Sequence, residues 1–290
     1  MSEIPKAFCL MPLLYFQTTH TFYRTRGRFD LRNGIVIRKI TASEIQEIQE
    51  KRGSKDYPLN WLDIERISYT LEKKIGPNSR ASDKALDQFR NLVLSMRLFK
   101  QGAVGYKAAF TLFEGRPFII HDFGVEPRHA SVIPIMASLK TPKKPVFALL
   151  TLNEKELKEY ASFCKEVSKF GGREEKWPLP IRYFSRMYES KPYENALVDC
   201  VISFEALIFK GEGKVREKKT PIALAVSMLI GNNSKEREKI KTTLKEAYDI
   251  RNAVVHGKAL GKKHLEIATL CWETEDYLRR SIRKLLFEGC

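Results

Sequence analysis

Two residues in the segment YDIRNAVVHG (residues 248–257), Arg251 and His256, carry side chains that could act together on a phosphate group. At ~100° per residue, a helix through this segment presents one apolar stripe. Arg251 falls about 20° from the line of that stripe. An uncompensated charge there would cost several kcal/mol, so Arg251 needs a pairing partner or a cleft that reaches it. The residues that define the stripe are Leu244, Ala247 and Val254.

Glu205 is the partner that the sequence offers. It lies near the middle of an upstream apolar helical face, so two helices would each carry one charge, of opposite sign, at a core position. We infer that Glu205 and Arg251 face each other, directly or across a shared polar pocket. The pair could be a buried ion pair that fixes helix register, or a guanidinium held for a phosphate, which suits the planar fork of arginine. The apolar face comprises Leu197, Val198, Val201, Ile202, Phe204, Ile208 and Phe209.

His256 ends the same predicted helix, and Gly257 follows in the position that favours a left-handed helix cap. The C-terminus of a helix favours a cationic side chain. Asn252, four residues before His256, lies on the same side of the helix and could orient the imidazole or a phosphate oxygen. A histidine here can exchange protons with a substrate, or it can simply stabilise the helix end. Both interpretations are open on this pattern alone.

Four potential metal ligands fall within nine residues, namely His121, Asp122, Glu126 and His129. Their spacing matches no metal motif, and Pro127 interrupts any helical face. We interpret them as polar residues of a loop after a strand, and we expect no metal and no other cofactor. The chain also lacks the GxxxxGK[ST], GxSxG, HExxH and GxGxxG motifs.

A basic loop lies between two of the predicted helices. It could grip the phosphate backbone of RNA, although solvated loop charges are the commoner explanation. Its cationic residues are Lys214, Arg216, Lys218 and Lys219.

The elements that must position these residues divide the chain in two. Residues 1–175 mix strand and helix signals, and they predict an α+β domain. Asn33-Gly34 predicts a hairpin, capping boxes predict helix starts at Thr41 and Asn153, and apolar spacing predicts a helix over 81–100. Further strands are predicted over 64–72, 104–113, 116–123 and 146–152. Residues 176–290 predict an all-α bundle of five helices, at about 181–190, 192–210, 220–230, 234–256 and 263–287.

The composition favours a polyanionic partner. Lys and Arg number 51 against 35 Asp and Glu, which gives a formal net charge of +16. Nucleic acid is the first expectation and an acidic membrane surface the second, although many Lys-rich soluble proteins bind neither. Five widely spaced cysteines without a CxxC pair indicate free thiols in a reducing compartment. The N-terminus lacks the features of a signal peptide and no apolar run approaches ~20 residues, so we expect a cytoplasmic protein without a membrane partner.

The segment from Arg251 to His256 resembles the Rx4–6H signature of HEPN domains, small helical bundles found in prokaryotic toxin, defence and RNA-processing proteins. Asn252 and Gly257 match the residues that often follow the Arg and the His in that family. The helix NALVDCVISFEALIF (residues 195–209) is similar to the Apea-like branch, as is the Tyr-Asp pair at 248–249. The spacing itself is unspecific, because RPFIIH (residues 116–121) also fits it, on a predicted strand. The helical context separates the two matches.

This resemblance, which covers residues 181–290, implies a metal-independent endoribonuclease with a defence or toxin-like role. The ribose 2′-OH would attack the adjacent phosphorus and leave a 2′,3′-cyclic phosphate. His256 would supply acid–base catalysis, Arg251 would stabilise the phosphorane, Asn252 would position groups and Glu205 would support the site. The implied partners are RNA, a second copy of the chain that completes the cleft, and an antitoxin or regulatory protein.

One geometric difficulty accompanies this implication. An ideal helix puts Arg251 and His256 about 140° apart. Either the helix unwinds near Val255, or the two residues serve opposite sides of a homodimer cleft.

Two alternative functions remain open besides the ribonuclease. The first is a non-catalytic HEPN module that binds RNA or nucleotide or acts as a regulatory assembly partner, and the second is an unrelated enzyme that uses His121 and His129.

Overall fold

The computed structural model describes residues 7–14, 16–18, 28–31, 33–50, 67–76, 79–113, 116–123, 149–170, 177–209, 217–262 and 264–288. Their contacts divide them into two compact units. The N-terminal unit comprises the described residues up to Phe170, and the C-terminal unit comprises those from Trp177 onward. The first unit mixes strands with helices, and the described part of the second is helical. The predicted order, an α+β region followed by a helical region, is therefore confirmed.

Eight strands are described in the N-terminal unit: β1 (Ala7–Leu14), β2 (Phe16–Thr18), β3 (Arg28–Asp30), β4 (Ile35–Lys39), β5 (Ile67–Ile75), β6 (Ala108–Phe113), β7 (Arg116–Phe123) and β8 (Leu150–Leu152). Six of them form one sheet in the order β3-β4-β5-β1-β6-β7, in which every neighbouring pair is antiparallel. The short strands β2 and β8 form a separate parallel pair.

The strand β1 lies in the middle of the sheet and contains Pro12, and it was not among the strands predicted from the sequence. It pairs with β5 along its whole length but with β6 only over residues 7–10. The amide of Leu14 donates to the carbonyl of Gly105 on the β6 side, so by alternation the nitrogen of Pro12 also points to that side. Because the β1–β6 ladder has already ended there, the missing amide hydrogen of proline costs no ladder hydrogen bond.

The predicted hairpin at Asn33-Gly34 is confirmed. It joins β3 to β4, and Asn33 and Gly34 adopt φ angles of 51° and 72°, left-handed values that asparagine and glycine accept more readily than other residues. The strand predicted over 104–113 begins later, at Ala108, because Ala103 and Gly105 make only isolated bridges to other strands.

Three helices are described beside the sheet: α1 (Ala42–Glu50), α2 (Ser79–Phe99) and α3 (Glu154–Val167), the last followed by a 3-10 turn over Ser168–Phe170. Both predicted capping boxes are present. The amide of Glu44 donates to Thr41 Oγ1 (3.2 Å) while the Thr41 amide donates to the Glu44 carboxylate (2.8 Å). Asn153 and Glu156 make the same reciprocal pair at the start of α3. Local sequence alone therefore defines these two helix starts.

The core of the N-terminal unit forms where α2 and α3 pack with the sheet. Phe89 and Met96 from α2, Leu71 from β5 and Tyr160 from α3 are all buried in one cluster. The hydroxyl of Tyr160 donates to the carbonyl of Leu92 (2.8 Å), so the buried phenol is satisfied.

Five helices form the described part of the C-terminal unit: α4 (Leu179–Glu189), α5 (Tyr193–Phe209), α6 (Lys219–Ile230), α7 (Ser234–Val255) and α8 (His264–Leu286). Each boundary lies within two residues of the sequence prediction. The helix α5 packs against α4, α7 and α8, and α6 packs against α7. Because α5 is in contact with three other helices, it buries Leu197, Cys200 and Phe204. Among the described helices of the chain, we find none that is both long and apolar enough to cross a membrane.

Candidate active site

The structure brings Glu205 of α5 and Arg251 of α7 together. Arg251 Nη2 lies 3.9 Å from Glu205 Oε1, and the two side chains are only 24% and 15% exposed. This distance is within ion-pair range but too long for a hydrogen bond. The contact therefore orients the guanidinium without using up the donor capacity of Nη2.

The pair lies at the edge of the helical core and not at its centre, which differs from the sequence prediction. On α7 the buried residues are Ile240, Thr243, Leu244, Ala247 and Ile250, while Val254 is half-buried. Thr243 and Ile250 shift the buried stripe away from Arg251. On α5, the predicted face around Glu205 is likewise only partly buried. Its half-buried members are Val198, Ile202, Ile208 and Phe209.

Tyr248 is a site residue that the sequence reasoning missed, because its segment was used only for family resemblance. Its hydroxyl donates to Glu205 Oε1 (2.9 Å), and its ring centroid lies 5.7 Å from the Arg251 guanidinium carbon. Burial, together with the neighbouring Glu205 carboxylate, raises the pKa of Tyr248 to about 12. The phenol therefore stays protonated at neutral pH and keeps donating. Its position three residues before Arg251, on the same face of α7, was the available signal.

Lys218 and Lys219 are engaged in ion pairs at the start of α6. Lys218 Nζ donates to Glu205 Oε2 (2.8 Å), and Lys219 Nζ donates to both carboxylate oxygens of Asp249 (2.6 and 2.7 Å). These contacts bind the first turn of α6 to α5 and α7. Lys214 and Arg216, the other two residues predicted to contact RNA, lie outside the described residues. RNA contact by the four stays a prediction.

The Arg251 guanidinium is incompletely satisfied. Its Nη1 donates to Asn252 Oδ1 (3.0 Å), a contact that the sequence did not predict, since Asn252 was expected to orient His256 or a phosphate oxygen. Its Nε is buried and has no hydrogen-bond partner among the described residues. Buried donors without a partner are uncommon in proteins, and a ligand or water molecule could satisfy this one. The remaining donors of Arg251 match the requirements of a phosphate oxygen.

His256 lies at the exposed end of α7. Helical geometry ends at Val255, and the Lys258 amide donates to Ala253 O (2.8 Å) while the Gly257 amide donates to Val254 O (3.1 Å). With Gly257 at φ 63°, this is the Schellman arrangement that the His-Gly pair predicted.

The offset between Arg251 and His256 is preserved in the structure. The amide of His256 still donates to Asn252 O (3.1 Å), so the chain follows the helix as far as this residue. Helical geometry thus keeps His256 about 140° around the axis from Arg251. Unwinding before His256 does not occur, and one chain presents the two residues on different sides of α7.

The structure gives little support to the alternative sites around His121. His121 lies on β7, as does Arg116, so the second match to the family spacing is on a strand, as predicted. Glu126 and His129 lie outside the described residues. Within the part of the chain that is described, no three His, Cys, Asp or Glu side chains are grouped so that they could hold a metal ion.

Comparison with known proteins gives no relative. No protein-family model matches the chain, and neither a curated protein nor a solved structure does so.

Proposed function

We propose that the chain is a metal-independent endoribonuclease of the HEPN type, in which Arg251, Asn252 and His256 act on the phosphodiester. The observation that carries the proposal is the state of Arg251, which is held by Asn252 and lies near Glu205 while a buried nitrogen has no partner. A guanidinium held in this way is preorganised to stabilise the charge of a phosphorane. The match of the segment to the Rx4–6H pattern supplies the family.

The same geometry favours a homodimer as the active species. Cleavage by 2′-OH attack needs a base for the hydroxyl and an acid for the leaving 5′ oxygen, and one histidine cannot conveniently be both in one turnover. Since His256 and Arg251 point to different sides of α7, two chains in a symmetric pair would supply two histidines and two arginines to one cleft. A defence or toxin-like role, controlled by an antitoxin or regulatory protein, is part of the proposal.

The test is cleavage of a structured RNA in excess EDTA. We expect the native chain to leave 2′,3′-cyclic phosphate ends. We expect His256→Ala to lose about 10²- to 10⁴-fold in rate, the usual contribution of acid–base catalysis. Arg251→Lys keeps the charge but not the planar fork, so it should lose activity as well. His264→Ala, a matched histidine substitution at the start of α8, should cleave at the native rate.

Two results would decide against the proposal. Cleavage that stops in EDTA would indicate a metal-dependent site elsewhere in the chain. Salt-sensitive RNA binding without any cleavage, unchanged by His256→Ala, would indicate the non-catalytic HEPN module instead.

A further inference from the structure

A basic cavity lies at the opposite end of α7 from Arg251. It has a volume of about 450 Å³ and is formed where α6 ends, α7 begins and the last turns of α8 pass. Its lining carries five cationic side chains and one carboxylate, namely Arg237, Arg279, Arg280, Arg283, Lys284 and Glu288. Two further carboxylates, Asp276 and Glu236, pair with Arg279 and Arg280, so the local formal balance is +2.

Two of the arginines build the cavity wall. Arg237 Nε donates to Gly231 O (3.0 Å), and Arg280 donates to Ile230 O and to the Glu236 carboxylate (3.0 Å). Both offset the partial negative charge of the carbonyls at the end of α6. They hold the corner between α6 and α7 in place, and substitution of either would disturb the fold.

Two of the lining cations carry positive charge that an anion can reach. Lys284 is exposed, and Arg283, which is 29% exposed, is paired with Glu288 (3.3 Å), whose side chain is 52% exposed. A pair with one half-exposed partner contributes little free energy, so a phosphate oxygen can compete with the Glu288 carboxylate for Arg283. Arginine stays protonated at any accessible pH, and its fork suits a phosphate. The cavity therefore has permanent positive charge and an exchangeable partner.

We propose that this cavity binds the phosphate backbone of the substrate RNA, away from the cleaved bond. That the cleaved bond lies at Arg251 rests on the proposed function, whereas phosphate binding in the cavity does not. Arg237 and Arg251 are 14 residues apart on one helix, which is about 21 Å along its axis. A strand stacked at ~3.4 Å per nucleotide covers that distance in about six nucleotides. Met228, which is 56% exposed and lines the cavity, offers an apolar surface for a base.

The experiment measures binding of the full chain to a 12-nucleotide 2′-O-methyl RNA, which has no free 2′-OH and cannot be cleaved by 2′-OH attack. Fluorescence anisotropy at several salt concentrations gives the affinity and its salt dependence. Arg283→Gln/Lys284→Gln should weaken binding about tenfold and reduce the slope of log K against log salt by about 1.4, since each single-strand phosphate contact contributes about 0.7. Glu288→Gln should tighten binding.

The matched control removes two positive charges elsewhere. Lys155 and Lys158 are exposed on α3 of the N-terminal unit, so Lys155→Gln/Lys158→Gln should leave affinity and slope unchanged. If the cavity variant behaved like this control, the RNA site would be refuted. If the cavity variant lost calorimetric binding of ATP but kept the 12-mer affinity, a free nucleotide would be the ligand and the RNA assignment would be wrong. If the 12-mer bound through the cavity and no RNA were ever cleaved, the nuclease proposal would fail and the phosphate site would stand.

Discussion

Glu205 organises the candidate site through a single carboxylate. One of its oxygens accepts from the Tyr248 hydroxyl and lies 3.9 Å from Arg251, while the other accepts from Lys218. Two donors, Tyr248 of α7 and Lys218 just before α6, and the Arg251 guanidinium thus converge on one residue of α5. In the proposed mechanism Glu205 would act on the phosphate only through Arg251, so we propose it as a positioning residue and not a catalytic one.

Removal of the Tyr248 hydroxyl tests this arrangement. Tyr248→Phe should lower the free energy of unfolding by about 1–2 kcal/mol, because a hydrogen bond to a charged acceptor is lost at a partly buried position. Urea denaturation gives the value. Tyr183→Phe, on the half-buried surface of α4, keeps the contact of its ring with Arg186 and should change stability little. Equal effects of the two substitutions would show that the Tyr248–Glu205 bond contributes nothing.

At the scale of elements, the C-terminus of α7 determines where His256 lies. Gly257 adopts φ 63°, and a Cβ added there would meet no atom within 4 Å. The cost of Gly257→Ala is therefore purely one of backbone conformation, about 1 kcal/mol.

A melting experiment separates this cost from that of a generic loop substitution. Gly261 also has open space around it but does not adopt a left-handed φ, so Gly261→Ala is the matched control. Gly257→Ala should melt several degrees lower than Gly261→Ala. If both melted alike, the left-handed cap would not stabilise α7.

The elements that the sequence predicted well are those with local signals. The caps at Thr41 and Asn153 and the turn at Asn33-Gly34 each depend on residues within four positions. The sequence did not predict the strand β1, because Pro12 is compatible with a strand only where no neighbour needs its amide hydrogen. That depends on where the pairing of β1 with β6, about a hundred residues away, ends.

Some contacts of the candidate site could likewise be predicted from the sequence and others could not. The proximity of Glu205 and Arg251 followed from two charges on apolar helical faces, which periodicity reveals. The contact of Lys218 with Glu205 did not follow, because it depends on how the start of α6 approaches α5. The contact of Tyr248 had a signal that the prediction did not use, its place three residues before Arg251 on the same face of α7. The sequence pattern does not show which partners the charged residues of a loop will have. It does not show the cavity between α6, α7 and α8 either, because that cavity forms only when the three helices pack.

At the scale of the whole molecule, buried acids in both units make the folded state sensitive to alkali. Burial raises the pKa of the Cys9 thiol to about 12 and that of Cys164 to about 11, and Tyr248 is raised to about 12. Burial also raises the pKa of Tyr160. The unfolded chain ionises these groups at lower pH than the folded chain, so the folded state binds more protons in this range.

The contribution of these groups to stability should therefore be fully present at pH 8 and should be lost as the pH rises from about 9 through 11 to 12. Urea unfolding midpoints at pH 8, 9, 10 and 11 measure this trend. Cys9→Ala/Cys164→Ala removes two of the groups, and its decline between pH 9 and 11 should be shallower than that of the native chain. A midpoint that rose with pH would contradict the assignment.

The distribution of buried thiols gives each unit its own chemical reporter. Cys9 and Cys164 are buried in the N-terminal unit, and Cys200 and Cys271 are buried in the C-terminal unit. An alkylating reagent attacks only a thiolate that it can reach, so none of the four reacts until its surroundings open. In a chain that carries Cys290→Ser, pulsed alkylation followed by peptide mass spectrometry would record an opening rate for each unit from a single sample. A slower rate for Cys200 and Cys271 in the presence of RNA would locate the bound strand on the helical unit without any assay of cleavage.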